Sequence, residues 1–221
     1  NRILSGSALN YASHTRRVVY TESHDEVGQK NFKDRVPYRM DPANPTSQLA
    51  RRKSMLAAGL MFGTPGIPMI FQGQEMLETI GFEDTNSVRW ALIDQFPGVH
   101  NLYKDMMHLR RNYFGNTGGL TGQFVFAQMQ TLSDSTNQVL TMHRLNQGGV
   151  DDDVFIVANL SGRNHAGQWI TFPATGEWYA VLNSDSTKYG ADFSGVGLEQ
   201  TAALGDRRGI IDLAPWSFIV Y

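Results

Sequence analysis

No cysteine occurs in the 221 residues, which excludes disulfides and thiolate metal sites and favours a reducing compartment, cytoplasmic or plastid-like. Charge of one sign is lacking too. Nineteen Lys and Arg face 21 Asp and Glu, and the net charge of -2 leaves no electrostatic footprint for nucleic acid. Long apolar runs are absent: the longest, residues 56–62, is far too short to span a bilayer and is broken by Gly59. Residues 1–4 lead into no apolar signal segment, and the first residue is Asn rather than Met, so the chain is expected to be a piece of a longer one. Neither an internal repeat nor a low-complexity tract is present. The six histidines form no H-x-H or H-E-x-x-H pattern, and no metal site or cofactor is expected. His100 and His108 stand eight apart on one predicted helix; His143 and His165 read as ordinary surface or partly satisfied residues. Gly63-x-x-Gly66 lies between a helix and a strand, the wrong order for a phosphate-binding loop.

What is present is an ordinary globular composition, 41% hydrophobic and 18% charged, long enough for one large domain or somewhat more. The pattern changes near residue 115. Before it, residues 17–21 read as a strand rich in Val and Tyr. Residues 28–46, with Pro37, Pro42 and Pro45, read as a long loop. Thr46 or Ser47 is the expected N-cap of a helix running to about Phe62, with Leu49, Leu56 and Leu60 inward and Arg51, Arg52 and Lys53 outward. Residues 67–71 read as a buried strand with Pro68 at its start, and residues 99–112 as a helix with Val99, Leu102, Met106 and Leu109 along one side. Met106 and Met107 are expected to fill the core. After residue 120 come short alternating runs at 124–129, 138–145, 154–160, 168–172, 178–182, 210–213 and 216–221, separated by turn signals such as Asn146-Gln147-Gly148-Gly149. Asp151-Asp152-Asp153 reads as a solvated turn.

Both predicted strands of the first part end in polar groups: Glu22, Ser23, His24, Asp25 and Glu26 after one, Gln72, Gln74 and Glu75 after the other. Strand, polar end, helix, strand, polar end is the signature of parallel βα units. Ligands bind where the carboxyl ends of such strands share a face. His24, Asp25 and Glu26 are therefore expected to share a pocket with Gln74 and Glu75. Carboxylates there can stabilise a developing positive charge or bind sugar hydroxyls, and acid pairs are the usual apparatus of glycoside hydrolysis. The competing reading makes Glu22 to Glu26 surface loop acids.

Tyr20-Thr21-Glu22-Ser23-His24-Asp25-Glu26, followed by Val27-Gly28, resembles the fourth signature region of the α-amylase family, in the form most like glucan branching enzymes. Residues 66–75, GIPMIFQGQE, are similar to that family's eighth barrel strand and its mouth. Arg89-Trp90-Ala91-Leu92, His100 and Leu109-Arg110-Arg111 resemble the segment leading through the last barrel helix, and residues 178–185 resemble the carboxyl-terminal sandwich. The resemblance implies an α/β plus all-β fold. The last two βα units of a (β/α)8 barrel would occupy residues 1–115, and a C-terminal antiparallel β-sandwich residues 116–221.

By the same resemblance Asp25 matches the third catalytic acid, which binds sugar hydroxyls and stabilises the oxocarbenium-like transition state. His24 matches a hydrogen-bonding partner of the sugar. Glu26 is a further substrate-binding candidate, and Glu22 is either a structural carboxylate behind the site or part of it. Trp90, Phe82 and Tyr38 are weighed as stacking rings and read first as packing. The implied substrate is an α-1,4-glucan (glycogen, starch or amylose), transferred to form α-1,6 branches. The nucleophile and proton donor would lie on upstream strands of the same barrel, without which this segment is expected to be inactive. Two rivals are a hydrolase, with water as acceptor, and a noncatalytic glucan-binding or scaffold module using Trp169 and Trp178. No nucleic-acid or membrane partner is expected.

Overall fold

The computed structural model of the protein describes residues 13–28, 35–122, 124–130, 139–197 and 199–221. Residues 1–4, residues 29–34 of the expected loop and Gln138 lie outside these.

Strand β1 (Val18–Val19) and strand β2 (Ile67–Pro68) pair in parallel, Val18 opposite Ile67 and Val19 opposite Pro68. The ladder runs through Ile67 N–H to Arg17 O (2.7 Å) and Met69 N–H to Val19 O (2.9 Å), so the missing Pro68 donor breaks nothing. Five residues were expected in the second strand; two are ladder residues, and Ile67 is 48% exposed rather than buried. The turn before β2 needs Gly66 at φ +140°, where an added Cβ would lie 2.5 Å from a Val19 methyl carbon.

Helix α1 (His24–Val27) leaves β1 almost at once. Helix α2 (Val36–Met40) sits inside the stretch read as a loop, its start marked by Pro37. Helix α3 (Gln48–Gly63) begins at Ser47, whose hydroxyl accepts the Ala50 N–H at 3.0 Å. Its inner face is Ala50, Met55, Leu56, Ala58, Met61 and Phe62, whereas Leu49 is exposed. Arg52, expected to face out, is buried and meets Asp185 at 2.5 Å and Pro215 O at 2.9 Å. A long guanidinium stem can enter a core when a carboxylate waits for it. The short helix α4 (Leu92–Gln95) leads into α5 (Pro97–Arg110), which buries Val99, Leu102, Tyr103, Met106 and Leu109. Met107 faces the other way and is exposed, correcting its expected core role.

The remaining strands are β3 (Phe124–Gln130), β4 (Val139–Leu145), β5 (Val154–Asn159), β6 (His165–Thr171), β7 (Gly176–Tyr179), β8 (Leu182–Asn183), β9 (Gln200–Ala203), β10 (Arg208–Leu213) and β11 (Phe218–Val220). All their pairings are antiparallel. One sheet has the order β3-β4-β5-β11-β8; β10 pairs with β6, and β7 with β9. Strands β4, β5 and β11 of the large sheet are buried on both faces, and their alternation shows it. Leu140, Met142, Val154, Ile156, Ala158, Phe218 and Val220 join the core formed by α3 and α5. Phe155, Val157, Ile219 and Tyr221 join Ile170, Phe172, Ile211 and Leu213 in a second core. Helices on one face and strands on the other make a layered body in which the first part of the chain shares a core with the second.

Two arginines stitch that seam. Arg144 is fully buried and donates to Leu120 O (3.0 Å), Gly122 O (2.6 Å) and Gly63 O. Arg110 donates to Gly66 O (2.6 Å) and Leu120 O. Burial lowers the pKa of both guanidiniums, and backbone carbonyls accept their N–H hydrogen bonds. Residues 151 and 152 form the expected turn, and Asp152 also braces it: its Oδ2 accepts the N–H groups of Asn146 (2.9 Å), Gln147 (3.0 Å) and Gly148 (2.6 Å). His165 is buried rather than on the surface, with Nε2 3.3 Å from the Ser161 hydroxyl, and His143 Nε2 lies 2.8 Å from Asp153.

Candidate functional site

The parallel register brings the polar ends of β1 and β2 side by side. The side chain of Gln74 spans them: its Nε2 donates to Thr21 Oγ1 and its Oε1 accepts the Phe71 N–H at 3.3 Å. The Tyr103 hydroxyl from α5 also bonds to Gln74. Tyr103 is buried, and its phenol is pushed above its ordinary pKa, first by burial and then by the carboxylates of Glu22 and Glu75.

Beneath the end of β1 lies an ion pair. Glu22 is 0% exposed, meets Arg35 at 3.4 Å and accepts the Val36 N–H. Burial drives the Glu22 carboxyl up and the Arg35 guanidinium down; the pairing opposes both shifts. Arg35 continues to Gln72 O (3.1 Å) and Glu78 O (3.3 Å), with its guanidinium 5.4 Å from the Phe71 ring centre. Glu78 in turn takes the Thr79 and Ile80 N–H groups at 2.8 Å each and a fork from Arg89, whose Nε lies 3.1 and 3.0 Å from its two carboxylate oxygens. One guanidinium thus ties the ends of both strands to α2 and to the loop that follows. Glu22 is the structural carboxylate of the two readings offered for it.

Above this buried base, α1 carries the candidate residues. Its far end is fixed by Phe82 N–H donating to Val27 O (2.7 Å) and by the Gly28–Phe82 bridge. His24 and Asp25 stand on the rim, their side chains 69% and 82% exposed, with Nε2 3.2 Å from Oδ1. Glu26 is exposed beside them. Gln74 is instead buried, and Glu75 is half-buried with Oε2 turned inward. The strand ends therefore meet, but among the described residues no contact joins Asp25 to Gln74 or Glu75. The expected shared pocket divides into an exposed rim and a buried base.

Of the rings weighed for stacking, Trp90 is 67% exposed and so is not packing, while Phe82 is half-buried and meets Phe71 edge to face at 5.4 Å. Tyr38 is half-buried. In the sheet region Trp178 packs on Phe155 and Phe172 at 6.1 and 5.6 Å, leaving Trp169 the more exposed of the two rings. Among the described residues no group of three potential ligands could hold a metal ion, and no helix is long and apolar enough to cross a membrane.

Residues 130–221 match the family described as "Alpha amylase, C-terminal all-beta domain". The chain is 27% identical over 192 residues to the 1,4-alpha-glucan branching enzyme GlgB of Vibrio parahaemolyticus, covering 84% of this chain and 24% of that protein. It is 27% identical over 214 residues to the GlgB of Rhodospirillum rubrum, covering 93% of this chain and 28% of that one. The chain thus spans about a quarter of the length of these relatives. Among solved structures it resembles the pullulanase of Anoxybacillus sp. LM18-11 in complex with maltotetraose, with a TM-score of 0.65, 15% identity, and coverage of 99% of this chain and 29% of that one. The pullulanase of Bacillus acidopullulyticus superposes with the same TM-score at 18% identity, over 26% of its own length. These two likenesses concern the fold. The resemblance read from the motifs is the one that the comparisons return.

Proposed function

We propose that this chain, of the α-amylase family and most like the carboxyl-terminal portion of a 1,4-α-glucan branching enzyme, supplies the last two βα units of a (β/α)8 barrel within residues 1–115. Residues 116–221 are then the C-terminal β-sandwich. The observation that carries this reading is the parallel β1–β2 pair, joined through α3 and bearing His24–Asp25–Glu26 where the ends of its strands meet. The outward apolar groups of the pair support it too. Val18, Tyr20 and Ile67 are 51%, 44% and 48% exposed, which suits a two-stranded fragment of a larger parallel sheet.

In the complete barrel an upstream carboxylate attacks the anomeric carbon of an α-1,4-linked glucosyl unit. An upstream acid gives its proton to the departing O4 as the C1–O4 bond breaks. A second chain's 6-hydroxyl then attacks C1, loses its proton to the same acid residue, now a carboxylate, and releases the nucleophile with retention. Asp25 has neither part. Its carboxylate binds the sugar hydroxyls and offsets the positive charge that grows on the ring, a bond that strengthens in the transition state. His24 and Glu26 hold the same sugar by hydrogen bonds.

The test is Asp25→Asn in the complete protein. Activity on amylose should fall by a factor on the order of a thousand, the size seen when one preorganised transition-state contact is removed. Debranching the product of the unaltered protein should release new short chains. Linear products alone would make the acceptor water and the enzyme a hydrolase, and undiminished activity in Asp25→Asn would end the reading. Residues 1–221 by themselves should cleave and transfer no glucan.

A further inference from the structure

Helix α1 is a single turn. The Val27 and Glu26 N–H groups donate to Ser23 O at 3.1 and 3.2 Å, and the Ser23 side chain makes no cap. So short a helix does not hold its own shape in water, and His24 and Asp25, both exposed, lend it no packing. Its place is set from outside. The end of β1 fixes one side. On the other, Val27 is buried and its carbonyl accepts the Phe82 N–H at 2.7 Å.

Among the described residues, residues 79–88 make a single backbone hydrogen bond out of their own segment, and it is this one. Asp84 to Ser87 are exposed, and Asn86 N–H donating to Glu83 O (3.0 Å) turns the tip back. What closes the segment is the pair at its two feet, Glu78 and Arg89. The Glu78 foot is fixed to the buried base: its N–H donates to Gly73 O at 2.9 Å, and its carbonyl accepts from Arg35 at 3.3 Å. The Arg89 foot leads into α4 through Leu92 N–H donating to Arg89 O at 3.0 Å. Its guanidinium ties it to the other foot. Nε and Nη2 both meet the Glu78 carboxylate, and Nη2 also meets the Thr79 hydroxyl at 3.1 Å. A fork of this kind fixes direction as well as distance, which a lysine ammonium does not. Without it the feet are free to part, and the entropy the segment gains loosens Phe82 against Val27.

We infer that Arg89 is a positioning residue for the glucan reaction: its fork on Glu78 latches residues 78–89 shut, Phe82 passes that closure to Val27, and Val27 sets the turn that presents His24 and Asp25. Arg89 acts in this way without touching the sugar. The inference rests on the glucan reading given under the proposed function. Two measurements on the complete protein test it. Hydrogen exchange at the Phe82 amide needs no substrate and should quicken about tenfold in Arg89→Ala. The Phe218 amide, which donates to Ser184 Oγ in the core, should keep its rate. On amylose, kcat of Arg89→Ala should fall about tenfold while KM stays within about twofold, because a displaced transition-state contact costs rate rather than affinity. Glu78→Gln keeps Oε1 for the Thr79 and Ile80 N–H groups but sets an amide NH2 against Arg89 Nε, which breaks the fork. In that background Arg89→Ala should cost less than about twofold more, since the two residues act as one unit. Arg89→Lys keeps the charge without the fork. Its kcat should fall about threefold, and it decides the test if Arg89→Ala does not fold. An unchanged kcat, a loss that appears in KM instead, losses that add in the double variant, or exchange that quickens equally at Phe82 and Phe218 overturns the latch. Loss of activity in Asp25→Asn with an unchanged kcat in Arg89→Ala would sink the latch alone. Full activity in Asp25→Asn would sink the glucan reading beneath it, and the part of Arg89 in that reaction with it.

Discussion

Replacing Glu22 by Gln keeps an acceptor for the Val36 N–H but removes the charge that Arg35 faces in a site closed to water. A buried guanidinium without its partner costs about 3–5 kcal/mol. Chemical denaturation of Glu22→Gln should show a loss of that size, and a loss under about 1 kcal/mol would mean that water reaches the pair. Glu78 gives a pH-dependent counterpart. Burial raises its carboxyl, but the bonds from Arg89 and the Ile80 N–H, with the nearby charge of Arg35, outweigh this and leave it below the ordinary 4.5. The folded form then binds fewer protons than the unfolded form. The stabilisation is complete above 4.5 and is lost as pH falls through the depressed folded value. Below pH 4.5 the melting temperature of the unaltered protein should accordingly fall more steeply than that of Glu78→Gln. At this scale the sequence was legible where side chains crowd one motif, as in Glu22 to Glu26. It was silent on Arg35 and Glu78 and on the part that Arg89, named only within a motif, plays beside them. These meet only through tertiary folding, and Arg35 stood in a stretch read as a proline-marked loop. No local spacing announces a partner so far along the chain.

Helix α3 shows how packing overrules propensity. Gly59 lies in its middle, where Ala is ordinarily better by about 1 kcal/mol. A Cβ there would come 2.4 Å from two ring atoms of Phe218, itself fully buried in β11. Overpacking of a closed core costs about 1–3 kcal/mol, and the ring that would have to give way is fully buried. Gly59→Ala should therefore lower the melting temperature despite the gain in helix propensity; a rise would show that β11 yields easily. The same helix marks what periodicity can and cannot tell. Its extent and its Ser47 cap follow from Pro45 before it and Gly63-Thr64-Pro65-Gly66 after it. Its orientation does not follow from leucine spacing, since Leu49 faces solvent and Arg52 enters the core to reach Asp185. Strand β9, Gln200–Ala203, was not anticipated, because two alanines, a threonine and a glutamine carry little strand signal. It exists because β7 needs an edge partner and supplies the register, with Trp178 opposite Thr201.

At the scale of the whole molecule, the change of composition near residue 115 marks a change of secondary structure without separating two cores. Leu140, Met142, Ile156, Phe218 and Val220 of the large sheet lie in one cluster with Met55, Phe62, Leu102 and Met106 of the helices. Arg144 reaches across to Gly63 O, and Arg51 of α3 forks onto Asp192 at 2.9 and 2.6 Å. Exposing even those five sheet side chains forfeits about 1.5–3 kcal/mol each. That sum is comparable to the roughly 5–15 kcal/mol by which a whole domain is stable. Residues 116–221 expressed alone should then lack a cooperative melt and bind a hydrophobic dye. Residues 1–221 should unfold in one transition by near-ultraviolet circular dichroism, with the helical and aromatic signals lost together. A sharp melt of residues 116–221 alone would show the sheet to be self-sufficient. The position of α1 would then have to be fixed by the Glu22–Arg35 base and the Phe82 bridge, with no help from the layer beneath.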